Sequence, residues 1–149
     1  MSQLNVLQKV IIGLSILFLI LSMIFPSFYI DRKDYDAYAN GLSNFFLGWM
    51  GLIIFDLECL PWIANPLFIL ALFYFIRGNK LSILVSLLAT ILALSFSRFQ
   101  TILTSESGER SKITSLELGY KLWVASMAFL FIATIVYFAF GEKILKKLN

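Results

Sequence analysis

Gly48-Trp49-Met50-Gly51, an acidic step at Asp56 and Glu58, and Pro61-Trp62-Ile63-Ala64-Asn65-Pro66 leading into the apolar run 67–76 decide the fold of this chain. As one helix, the apolar material over 45–76 would be about 50 Å long at roughly 1.5 Å per residue, against a hydrocarbon core of about 30 Å. It must therefore break or lie down. Asp56, Glu58, Pro61 and Pro66 mark the place, because a carboxylate is costly in lipid and proline removes a backbone donor. The stretch reads as a short apolar helix over about 42–55, interfacial or re-entrant, followed by a membrane span over about 60–77.

Further apolar runs lie on either side of that centre. Residues 10–25 form an unbroken apolar run closed by Pro26, with Phe28 and Tyr29 as rings suited to headgroup level. A charged segment over 31–36 separates this run from the small-x-small triplet Ala37-Tyr38-Ala39, so the run reads as a retained span and not as a cleaved signal peptide. The polar loop over 31–40 ends in the turn signal Asn40-Gly41. On the other side, Arg77-Gly78-Asn79-Lys80 is a tight basic turn into a third span over 81–97. There Ser82, Ser86, Thr90, Ala93 and Ser97 recur at helical spacing and predict a packing face of small side chains.

From 97 to 118 the chain turns polar, and β-branched runs over 101–104 and 112–115 flank Glu106-Ser107-Gly108-Glu109, which predicts a small β-hairpin. Gly119-Tyr120-Lys121-Leu122-Trp123 opens a fourth span over 120–140 that is expected to stop at Gly141. The expected fold is an all-α membrane protein: a four-transmembrane-helix bundle, with the short 42–55 helix before the second span and an extracytoplasmic β-hairpin between spans three and four.

Composition agrees. Hydrophobic residues make up 60% of the 149-residue chain and the mean hydropathy is +0.87, too apolar for a soluble domain. The net charge of +3 is small and its basic residues are scattered or terminal, which speaks against nucleic-acid binding. One cysteine, Cys59, excludes an internal disulfide, and the lack of histidine removes the commonest metal ligand and acid-base group. There is no phosphate-binding glycine loop and no nucleophile elbow. No catalytic residue, cofactor or metal is expected.

The candidate positions are structural or functional and lie where spans meet the interface: Trp49, Asp56, Glu58, Trp62, Asn65, Pro66, Arg98, Tyr120, Lys121 and Trp123. Trp49 and Trp62 suit the membrane boundary as anchors. Asp56 and Glu58, two apart, face different sides on a helix and one side on an extended segment. Four spans would put them level with Arg98 and Lys121, so at least one carboxylate is expected to face one of those cations.

Four crossings also place both termini and the 77–80 turn on one side, and the loops over 31–40 and 98–118 on the other. Each side then carries six Lys or Arg, but they are denser in the short turn and the tails of the first, which predicts both termini in the cytoplasm.

Gly48-Trp49-x-Gly51, Trp62-x-Ala64-Asn65-Pro66 and Gly119-Tyr120-x-Leu122-Trp123-x-x-Ser126, in that order between four spans, resemble a group of small bacterial inner-membrane proteins of unknown activity. The resemblance implies a multi-pass protein of the bacterial inner membrane and carries no catalytic residue. Asp56-Leu57-Glu58-Cys59 departs from the small-residue turn of that group. The expected function is non-enzymatic: contact with membrane partners as a subunit, sensor or immunity-type protective factor. The partners expected are the lipid bilayer and a membrane protein or a second copy of the chain. The alternative is a small oligomeric channel or transporter with 48–66 lining the path.

Overall fold

The computed structural model describes residues 4–32, 35–104 and 108–148. Four helices are long and apolar enough to cross a membrane: Val6–Ile24, Leu57–Ile76, Leu81–Arg98 and Leu118–Phe140. The first is α1 (Val6–Ile24), opened by Asn5, whose side chain accepts from the Gln8 backbone while Gln8 reaches back to Asn5. It ends at Phe25, where Pro26 cannot continue the helical hydrogen bonding.

Pro26 begins β1 (Pro26–Arg32), which turns back as β2 (Tyr35–Asn40). The loop expected over 31–40 is thus half of a hairpin. Its cause is visible in β1, where alternate residues Phe28 and Ile30 are buried and so give the strand an inner face. After a tight turn at Asn40, whose side chain accepts from Leu42, come α2 (Gly41–Leu47) and α3 (Met50–Ile53). The single helix expected over 42–55 is therefore two short ones, stepped at Gly48 and Trp49. Phe55, with φ of 57°, reverses the chain, and the Asp56 amide closes the turn on the Gly51 carbonyl at 3.0 Å.

A 3-10 stretch, Leu57–Ile63, then runs straight into α4 (Ala64–Ile76). Pro61 sits in the 3-10 part and Pro66 in the first turn of α4, so neither breaks the span. A turn at Gly78, with φ of 67°, leads to α5 (Leu81–Ser95). One more 3-10 turn, Phe96–Arg98, precedes β3 (Thr101–Leu103), β4 (Arg110–Leu116) and α6 (Leu118–Leu148).

Gly141 does not stop α6, which passes through it to Leu148. A single helical glycine costs only about 1 kcal/mol, and the residues that follow it are good helix formers. The apolar part ends at Phe140 as expected.

The four strands form one antiparallel sheet in the order β2-β1-β4-β3. β3 pairs with β4, Leu103 opposite Arg110, and β1 joins the two hairpins by pairing Phe28 with Leu116 and Asp31 with Lys112. The hairpin expected over 101–115 is thereby part of a larger sheet that the loop after α1 completes.

Below the sheet α1 packs on α6, α6 on α5, and α5 on α4. Phe68 and Phe75 of α4, Ala89 and Ala93 of α5, and Met127 and Leu130 of α6 form the centre. Ser82, Ser86, Thr90 and Ala93 are buried as a stripe, while Ser97 lies beyond it and is exposed. Ser86 and Thr90 hydroxyls donate to carbonyls one turn back in α5, so their polarity is met within the helix.

Candidate functional site

The residues singled out around the break in the second span converge where the sheet meets the helices. Asp56 and Glu58 flank the first residue of the 3-10 stretch and both face Arg110, the first residue of β4. Arg110 Nη2 lies 3.4 Å from Asp56 Oδ1 and also pairs with Glu58 Oε1, and its Nε donates to Thr101 Oγ1 at 3.4 Å. The cation expected here was Arg98 or Lys121. Both are exposed, and among the described residues neither pairs with either acid.

The reason is topological. The β3–β4 hairpin folds back over the 3-10 stretch and delivers Arg110 from the far end of β4, whereas Arg98 and Lys121 lie at helix ends outside that contact. No local pattern links Arg110 to acids more than fifty positions earlier.

The side chain of Asp56 is only 6% exposed, that of Glu58 16% and that of Arg110 41%. Burial, then the adjacent Glu58 carboxylate, push the Asp56 pKa above its usual value, and Arg110 opposes this without overcoming it. Arg110 in turn is held more firmly protonated, first by its bond to Glu58. The Cys59 thiol lies 3.6 Å from Asp56 Oδ2 and completes the acidic turn.

Aromatic side chains tie the neighbouring elements together. Trp62 Nε1 donates to the Phe45 carbonyl at 2.8 Å and so fastens α2 to the 3-10 stretch. Its ring covers Gly48, where an added Cβ would come within 2.6 Å of Trp62 Cδ1. This close approach explains the glycine at 48 in the Gly-Trp-x-Gly motif. Trp49, by contrast, is exposed, and its indole donates to the Phe46 carbonyl one turn away.

Trp123 Nε1 donates to Asn65 Oδ1 at 2.8 Å, joining α6 to the start of α4. Tyr120 donates its hydroxyl to the Ala93 carbonyl of α5 at 3.1 Å. Pro66 is exposed and takes no part.

These groups line a partly open cavity of about 110 Å³. Phe28 of β1 and Ile102 of β3 line it from the sheet, Asn44 and Phe45 from α2, and Glu58, Cys59 and Trp62 from the 3-10 stretch. The helices contribute Ser22, Asn65, Tyr120 and Trp123. Of the expected candidates, Glu58, Trp62, Asn65, Tyr120 and Trp123 thus share one chamber, Asp56 adjoins it through Glu58, and Trp49, Pro66, Arg98 and Lys121 do not line it. Arg110, Asn44 and Phe45 are among the residues that sequence reasoning missed. Among the described residues no group of three or more His, Cys, Asp or Glu could hold a metal ion.

Compared with protein-family models, curated proteins and solved structures, the chain matches none. The fold and the site therefore define its class alone: a chain with four helices able to span a membrane, carrying a four-stranded sheet at one end.

Proposed function

We propose that this chain is a non-enzymatic, four-span protein of the bacterial inner membrane that acts by contact with membrane partners, as a subunit, sensor or protective factor. Its termini are cytoplasmic and its sheet lies outside. The observation that carries this reading is the pairing of both Asp56 and Glu58 with Arg110. These acids are the side chains best placed for proton or cation chemistry, and here they hold the sheet against the second span. A sheet fixed in this way suits recognition by a rigid surface, because little ordering remains to be done on binding.

The same clamp supports an interfacial position for α2 and α3. The chain leaves α3 through Ile53, Ile54 and Phe55, the last 89% exposed, and returns at once to Arg110 on the sheet. Its tip therefore runs beside the sheet at headgroup depth, where apolar side chains reach the acyl boundary. The resemblance of the Gly-Trp-x-Gly, Trp-x-Ala-Asn-Pro and Gly-Tyr-x-Leu-Trp motifs to small four-span inner-membrane proteins supports the bacterial assignment.

Flux through liposomes containing the purified chain tests the reading against a channel or transporter. Passage of small ions no faster than through protein-free liposomes is expected. Saturable or protein-dependent flux would overturn the contact reading.

A further inference from the structure

Asn65 is 5% exposed, lines the cavity and makes its side-chain hydrogen bond with one oxygen only. Because Trp123 Nε1 is a donor and never an acceptor, the atom facing it must be Oδ1, which fixes the orientation of the amide. The Nδ2 group, with two N–H donors, makes no hydrogen bond to a protein group among the described residues and belongs to the cavity wall. Its two donors are therefore free to bond whatever occupies the cavity, water or ligand.

Three features define what that is. The chamber of about 110 Å³ is somewhat smaller than a cavity of about 150 Å³ that holds benzene, so its occupant has the size of a single ring or a short chain segment. Phe28, Phe45, Trp62, Phe96, Tyr120 and Trp123 favour an apolar body. Glu58 in the wall disfavours an anion, and Arg110, the nearby cation, is already paired. We propose that the cavity binds a small uncharged apolar group bearing a carbonyl oxygen, which accepts a hydrogen bond from Asn65 Nδ2. Such a group is supplied either by the ester carbonyl of a bilayer lipid or by a free lipid-soluble ketone.

Cyclopentanone and methylenecyclopentane, each of six non-hydrogen atoms and of nearly equal shape but differing in the carbonyl, are the probes. Binding is followed by calorimetry and tryptophan fluorescence on the full chain in a maltoside detergent, which brings no carbonyl of its own. Cyclopentanone should bind saturably and at least tenfold more tightly than methylenecyclopentane, and Asn65→Leu should abolish that preference. Because Asn65→Leu also removes the acceptor for Trp123, Ser27→Leu provides a second variant: it fills the cavity from β1, where Ser27 makes no side-chain hydrogen bond among the described residues. It should eliminate binding of both probes with the melting temperature retained. Equal affinity for the two probes in the wild-type chain, or cyclopentanone binding unchanged by Ser27→Leu, overturns the proposal. Vesicles of ester-linked and ether-linked lipids with the same chains separate the sources: weaker cyclopentanone binding in the ester-linked vesicles assigns the site to lipid, and equal binding assigns it to a free molecule.

Discussion

Arg110 stands between two carboxylates, and its removal would leave both facing each other in a largely buried turn. Arg110→Ala should therefore lower the melting temperature in detergent by several degrees, and Arg110→Glu by more, because it adds a third negative charge. Combining Arg110→Glu with Glu58→Arg restores an attractive pair and should recover part of the loss, whereas a double variant no more stable than Arg110→Glu alone would remove the clamp from this account.

Asp56 behaves differently. Its raised pKa means that the folded chain holds this proton more readily than the unfolded chain, whose value is near 3.8. The contribution of this group is then fully present below that value and is lost as the pH rises through the folded pKa. The stability of wild type relative to Asp56→Asn should fall as the pH rises above about 3.8 and through the folded pKa. A relative stability that rises over that window would show that Arg110, and not burial, dominates at Asp56. The acids were visible in the sequence as an expensive step before a span. Their partner was not, because Arg110 resembles any other loop cation until the β3–β4 hairpin is folded over the 3-10 stretch.

At the scale of elements, α5 shows most plainly what periodicity reveals. Small residues at helical spacing predicted a packing face, and Ser82, Ser86, Ala89, Thr90 and Ala93 are the buried residues of that helix. Ser86→Leu or Ala93→Leu should overpack the contact and cost about 1–3 kcal/mol, while Leu88→Ile on the exposed face should cost less than about 1 kcal/mol. Thermal or denaturant unfolding in detergent measures this, and similar losses for all three would contradict the assignment.

The sheet was half legible. β-branched runs and a turn announced β3 and β4, but β1 carries Pro26, Phe28 and Tyr29, which at the end of an apolar run read as a stop and two interface rings. Its pairing with β4 joins Phe28 to Leu116, positions far apart in sequence, so no local pattern records it. The step between α2 and α3 was hidden in the same way: Gly48 permits it, but the Trp62 ring that occupies the space arrives from the returning chain.

For the whole molecule, four helices long and apolar enough to cross a membrane follow from composition and run length. Orientation and function are less directly written, because the basic residues divide evenly between the two sides and the chamber is assembled from residues scattered between Ser22 and Trp123. The central claim is that the loops after the first and third spans lie on one side of the membrane and form one sheet outside the cytoplasm. Labelling with a membrane-impermeant maleimide tests it, in a Cys59→Ser background with single cysteines placed by Asp31→Cys on β1, Thr114→Cys on β4, or Lys80→Cys in the turn before α5. In intact cells cysteines 31 and 114 should label, and cysteine 80 only after permeabilisation. Labelling of cysteine 31 and cysteine 114 from opposite sides, or of cysteine 80 alone from outside, would contradict the account.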